Sequence, residues 1–262
     1  MMNKPEEDVR GAKVTIYRKH SRIPWAFERK RDILSLLFGT ILIGGCGGAE
    51  QALPTPRSQA LDGDNPDPGI LPGDSIAFGQ TLGEWSGTWW NWGLSFPLNS
   101  SPILDTTGEH CAARQSGGVW FLAGTFGTAE VRKCTIPSGQ AVLVPIINVE
   151  CSAFEGGGTT KDELAGCARA AADTFTGLKS EVDGVSLQGH RIQSPLYQLN
   201  LPPDNRFGPD PVRNSPSVAD GYWIMLSPLP QGPHTIHVAG QAPPLGGFNT
   251  EATYNLTVGH EG

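Results

Sequence analysis

Six consecutive residues, Asp105-Thr106-Thr107-Gly108-Glu109-His110, place two carboxylates and an imidazole directly before Cys111. Groups of this kind do general acid–base work when they converge on one pocket, one held charged and another held neutral. A loop in which Asp105 and Thr106 satisfy local backbone groups has the same composition. The expected catalytic set is Asp105, Glu109 and His110, joined by His237 from the His234-Thr235-Ile236-His237 run. A metal reading of that run is weak. Residues three apart on a strand face opposite sides, whereas two strand histidines on one metal need a spacing of two. Glu150, Glu155 and Asp220 are the further ligands available to it, and no metal or other cofactor is expected. There is no G-x-S-x-G elbow, and Gly156-Gly157-Gly158-Thr159-Thr160-Lys161 lacks the spacing of a phosphate loop.

Aromatic residues offer a second chemistry. In QTLGEWSGTWWNWGLSF, residues 80–96, Trp85, Trp89, Trp92 and Phe96 fall on one helical stripe that Pro97 ends. Indole faces can stack on sugar rings, although a helical tryptophan stripe is more often core. Trp90 lies off the stripe and is therefore expected to be exposed or to line a site, with Tyr222 as a second ligand-binding aromatic.

These groups must be positioned by a chain whose elements change period along its length. Runs at 119–124, 129–134 and 140–147 are short and apolar or alternating, which predicts strands. Thr160 with Glu163 forms a capping-box signature before an Ala-rich body, so residues 160–176 predict the clearest helix. Asp183-Gly184 predicts a tight hairpin, and residues 192–201 alternate again. Residues 202–220 carry five prolines and read as a long loop, fit for a lid or a binding loop. Three final strands are expected at 222–226, 234–239 and 251–258. About eight strands, two helices and no βα alternation predict a mainly β domain, an antiparallel β-sandwich or jelly-roll-like α+β fold.

Residues 33–45, ILSLLFGTILIGG, are uncharged, follow Arg29-Lys30-Arg31 and end at Cys46. Thirteen residues span only about 20 Å as a helix, too short for a hydrocarbon core of about 30 Å, so an export signal is expected. The run Leu42-Ile43-Gly44-Gly45-Cys46 resembles the lipobox of bacterial lipoproteins. That resemblance implies lipidation of Cys46 and a membrane anchor made of acyl chains, with the outer membrane as destination in a two-membrane cell because Gly47 follows. An ordinary cleaved signal and a soluble secreted chain is the alternative. Residues 46–73, rich in Pro and Gly, read as a tether, and residues 74–262 as one domain.

Without Cys46, four cysteines remain, Cys111, Cys134, Cys151 and Cys167, an even set that suits an oxidising compartment. Of three possible pairings we expect Cys111–Cys134 and Cys151–Cys167; no C-x₂-C knuckle supports a four-thiolate zinc site. Residues 1–45 hold nine Lys/Arg and five Asp/Glu, so the remaining 217 residues, with ten basic and 21 acidic groups, carry −11. Nucleic-acid binding through a basic footprint is thereby disfavoured. The segments WWNWGLSFP, LDTTGEHC, VWFLAGTF and ADGYWIMLSPLPQGPHTIHV resemble those of an uncharacterised family of secreted bacterial and archaeal proteins. The resemblance spans about residues 79–258 and implies one exported domain but no activity.

Three functions follow as expectations. The first is a lipid-anchored extracytoplasmic binding or surface module for a glycan, a small molecule or an envelope protein. The second is a secreted hydrolase or lyase using the Asp/Glu/His loop, and the third a purely structural envelope protein, whose indoles would all be buried.

Overall fold

The computed structural model describes residues 69–205, 207 and 214–259. The expected export signal, Cys46 and most of the expected tether lie outside the described residues. Strands β1 (Ile76–Ala77) and β2 (Gln80–Thr81) form a hairpin that leads directly into helix α1 (Leu82–Leu94). A capping box starts the helix: Thr81 Oγ1 accepts from the Glu84 amide at 3.2 Å, and Glu84 Oε2 accepts from the Thr81 amide at 2.8 Å. Then follow β3 (Val119–Phe121), β4 (Ala129–Pro137), β5 (Ala141–Ser152) and helix α2 (Lys161–Ala172). The chain continues through β6 (Thr176–Val182), β7 (Val185–Ser186), β8 (His190–Gln193) and β9 (Tyr197–Asn200). It ends with β10 (Asn214–Leu226), β11 (Gly232–Ala242) and β12 (Phe248–Gly259).

The strands form two main sheets. An inner sheet runs β3-β5-β10-β8, with β9 also paired to β10; an outer sheet runs β4-β12-β11-β6-β7. The mainly β fold with two helices is as the sequence predicts, and so are both disulfides, Cys111–Cys134 and Cys151–Cys167. Two disulfides point to an oxidising, extracytoplasmic compartment. No helix of the described residues is long and apolar enough to cross a membrane. The sandwich is not wholly antiparallel: β3 pairs β5 and β4 pairs β12 in parallel. The long loop expected at 202–220 is shorter, because residues 214–220 belong to β10, which pairs β9 through Ser217 and β5 from Ser217 onward.

The inner sheet is buried on both faces, which explains its apolar strands. Val142, Val144, Ile146, Ile224 and Leu226 pack toward the outer sheet against Ile136, Ile236, Val238 and Tyr254. Leu143, Trp223 and Met225 meet the aromatic face of α1 on the other side. Helix α2 lies against β5 and β10 through Leu164, Ala168, Cys151 and Val218, and the Cys151–Cys167 bridge fixes it there.

Glycine at 83, 87 and 93 lowers the intrinsic helicity of α1 by about 1 kcal/mol each. Burial of four indoles, at about 200 Å² and 25 cal/mol/Å² apiece, outweighs that several-fold even as an upper estimate. The same glycines let the helix approach closely. A Cβ on Gly87 would stand 3.0 Å from the Tyr197 ring and one on Gly93 2.6 Å from Ile103. Sunk this far, α1 is buried well beyond its stripe, and Trp90 is only 7% exposed. Its expected role as an exposed, ligand-lining indole is therefore corrected: Trp90 is core, edge to face with Trp89 at 5.2 Å.

Candidate functional site

Asp105 organises the loop that bears its name. Its Oδ1 accepts from the amides of Thr107 (2.8 Å) and Gly108 (3.0 Å) and from the Thr107 hydroxyl, and its Oδ2 accepts from the His110 amide at 2.8 Å. Burial works against the charged form, but these hydrogen bonds outweigh it and hold the carboxyl below its usual value. The carboxylate thus meets the backbone of His110 and not its imidazole. Glu109 is exposed and His110 half-buried.

The loop is pinned to β4. The Lys133 amide donates to Thr107 O at 2.9 Å, and Cys111 is bridged to Cys134. Gly108 holds φ +94°, with so little room that an added Cβ would meet the Lys133 carbonyl, so this position requires glycine. Pinned in this way, Gly108 and Cys111 form one rim of a groove of about 540 Å³ on the outer sheet.

Two cross-strand rows floor that groove. Register aligns Lys133, Asn255 and Thr235 across β4, β12 and β11, and beside them Thr135, Thr257 and Pro233. All six are exposed. Period-two alternation puts them on the solvent face, while Cys134, Ile136, Leu256 and Val258 fill the core behind. His234 closes one end. Its ring nitrogens lie 2.6 Å from Asp183 Oδ2 and 2.8 Å from Pro230 O, and Asp183 Oδ1 accepts from the Thr235 amide at 2.7 Å. Asp183 and Gly184, at φ +50° and +82°, form the β6–β7 turn expected from the Asp-Gly pair.

His237 is one row further along the outer face, paired with Glu251 at 3.0 Å, and does not line the groove. The nominated metal ligands are dispersed. Asp220, 2% exposed, takes Arg191 (3.1 Å) and Gln193 (3.1 Å) on the α2 face of the inner sheet. Glu150, paired with Ala219, lies on the opposite face of that sheet. Among the described residues no three His, Cys, Asp or Glu side chains are grouped to hold a metal.

Sequence reasoning missed one constellation. Glu150, buried in β5, accepts from Ser217 Oγ at 2.5 Å, and the same hydroxyl lies 3.2 Å from the Tyr197 hydroxyl. Glu155, in the following turn, takes the Ser152 hydroxyl at 2.7 Å and reaches the Glu150 carboxyl. Burial, then the hydrogen bond and charge of Glu155, push the Glu150 carboxyl well above its usual value. Burial and Glu150 likewise push the Tyr197 hydroxyl up. Glu150 Cα pairs with Ala219 and Ser152 with Ser217, so strand register assembles this cluster from residues distant in sequence. Phe154 stacks edge-on to Phe207 beside it, at 5.0 Å.

The described indoles offer no platform. Trp85, Trp89, Trp92, Trp120 and Trp223 are each 7% exposed or less, like Trp90. Three donate to backbone carbonyls: Trp85 to Ala77, Trp89 to Leu122 and Trp92 to Ala113. Tyr222 is half-buried and packs against the cores on either side of the β10 bulge. No protein-family model matches the chain, and neither a curated protein nor a solved structure matches it.

Proposed function

We propose that the chain is an extracytoplasmic binding module, held at the envelope by acylated Cys46, whose contact surface is the groove beside Cys111–Cys134. The supporting observation is the pair of exposed polar rows through Lys133, Asn255 and Thr235 and through Thr135 and Thr257, beneath a rim fixed by a disulfide. Amide, hydroxyl and ammonium groups at fixed strand spacing suit a hydroxyl-rich ligand such as a glycan, with Lys133 favouring an acidic one. The ligand is held by hydrogen bonds rather than stacked on indoles, since every described indole is core.

A hydrolase built on Asp105, Glu109, His110 and His237 draws less support, because the Asp105 carboxylate is engaged by backbone amides and His237 by Glu251. The structural-envelope reading keeps one observation in its favour, the burial of the described indoles.

A thermal-shift titration of the oxidised chain with neutral and acidic oligosaccharides tests the module. A ligand at 100 times its Kd adds about 2.7 kcal/mol to the folded state. The expected result is a rise in melting temperature that Lys133→Ala with Asn255→Ala abolishes and Trp90→Phe leaves intact. A rise unchanged by the double substitution moves the ligand elsewhere. No rise with any sugar leaves the structural role in front.

A further inference from the structure

The β1–β2 turn is built against its own stereochemistry. Phe78 and Gly79 hold φ +49° and +80°, the pair of left-handed positions in a two-residue hairpin turn normally taken by Asn-Gly or Gly-Gly. A bulky aromatic there is strained. The strain gains little burial, because Phe78 remains 57% exposed and Ile76, two residues before it, 72%. One edge of the Phe78 ring lies on the backbone of Gly118, where a Cβ would collide with it. Gly118 directly precedes β3, which enters the inner sheet beside Ala141 and Val142.

That end of the sheet is also where the described chain begins. Ile70 bridges Leu226, the partner of Val142, and the Ser227 amide donates to Gly69 O at 2.8 Å. Only 22 residues separate Gly69 from Cys46, a chain that cannot exceed about 75 Å even fully extended. Residues 69–90 contain Asp74 and Glu84 and no Lys, Arg or His, so no side chain of this segment attracts anionic headgroups.

We propose that Ile76 and Phe78 form a lipid-contacting tip that enters the apolar side of the bilayer interface next to the anchor. The proposal rests on the reading of Cys46 as the acylated residue. An acyl anchor would bring the bilayer to the end of the domain where the tip stands, and the exposed Ile76 and Phe78 side chains supply an apolar contact there.

Photocrosslinking tests it. Phe78→p-benzoylphenylalanine in the full chain, in phosphatidylcholine vesicles, is expected to give lipid adducts about tenfold above the same substitution at Val131, which is 64% exposed on the outer sheet. Equal yields at both positions, or adducts to protein alone at 78, overturn the tip. The mass of the mature chain separately reports acylation of Cys46. If it shows no acyl group, the anchor reading fails, and irradiation of the chain mixed with the same vesicles still decides the tip by the same comparison. A second variant removes the alternative of a packing role. Phe78→Asn suits the turn and should leave the melting temperature unchanged or raised, whereas a fall of more than about 5 °C would make Phe78 structural and overturn the proposal.

Discussion

Arg132→Met is expected to lower stability by about 3–5 kcal/mol, or about 10 °C in melting temperature for a domain of this size. Arg132 is 2% exposed, and among the described residues it pairs with no carboxylate. Carbonyl dipoles balance its charge instead. Nε donates to Asp105 O at 2.7 Å, Nη1 to Ala123 O at 2.5 Å and Gly124 O at 3.0 Å, and Nη2 to Ile103 O at 3.1 Å. Tyr254, its register partner on β12, places its ring 5.9 Å from the guanidinium and also donates to Ala123 O.

These bonds close the sandwich where β3 edges one sheet and β4 the other. Met would fill the volume but take the Arg132 donor from the carbonyls of Ile103, Asp105 and Gly124 in two loop segments, leaving Tyr254 alone on Ala123 O. Lysine would not restore them, because one ammonium cannot reach carbonyls that a planar fork spans. Arg114, exposed and lying over Phe96 at 4.5 Å, is the comparison, and Arg114→Met should cost under about 1 kcal/mol. Since Arg132 holds the Asp105 carbonyl, its loss should also loosen the groove rim, read as faster amide exchange at 107–111. Equal losses at Arg132 and Arg114 in chemical denaturation would sink this account.

Signals carried by neighbours in sequence were legible before the structure. Thr160 and Glu163 form their capping box, with the Glu163 amide 3.3 Å from Thr160 Oγ1, and the Asp183-Gly184 turn falls where the dipeptide places it. The stripe of Trp85, Trp89, Trp92 and Phe96 is core. What depends on register across the sheets was not legible. Glu150 meets Ser217 and Tyr197 only because β5, β10 and β9 align, and nothing local to any of the three marks the meeting. Trp90 departs from the expectation because a hydrophobic stripe predicts one buried face, while close approach through glycines submerges a second. Arg132 had a faint signal: it shares its strand face with Cys134 and Ile136, so alternation points it inward, whereas its charge argues for solvent.

Raising the pH should destabilise the wild-type protein on the alkaline side of the carboxylate range, and Glu150→Gln should remove that loss. The sign follows from the direction of the shift. Glu150 binds its proton more tightly folded than unfolded, because burial and the adjoining Glu155 disfavour its charge more than the Ser217 and Ser152 hydroxyls favour it. Its contribution is therefore complete below the unfolded value of about 4.3 and is lost as pH climbs through the raised folded value. Each unit of the rise is worth about 1.4 kcal/mol at high pH. Glutamine copies the neutral acid: its carbonyl can accept from Ser217 and its amide can donate to Glu155. The variant should match wild type near pH 4, exceed it from neutral pH upward, and show a flatter profile. Glu155→Gln should flatten the profile only in part, since it removes the neighbouring charge but leaves Glu150 buried. Asp105 supplies the opposite sign, its lowered value giving stability that is lost as pH falls. Asp105→Asn should therefore blunt the acid limb and leave the alkaline one. Urea midpoints across about pH 3–9 separate the two limbs. Parallel profiles for wild type and Glu150→Gln would mean that folding does not tighten the hold of Glu150 on its proton and that Glu150 is ionised where it lies. Such a buried charge would demand a cation beside it, which turns the same titration into a test for one: added divalent metal should then stabilise wild type and not the glutamine variant.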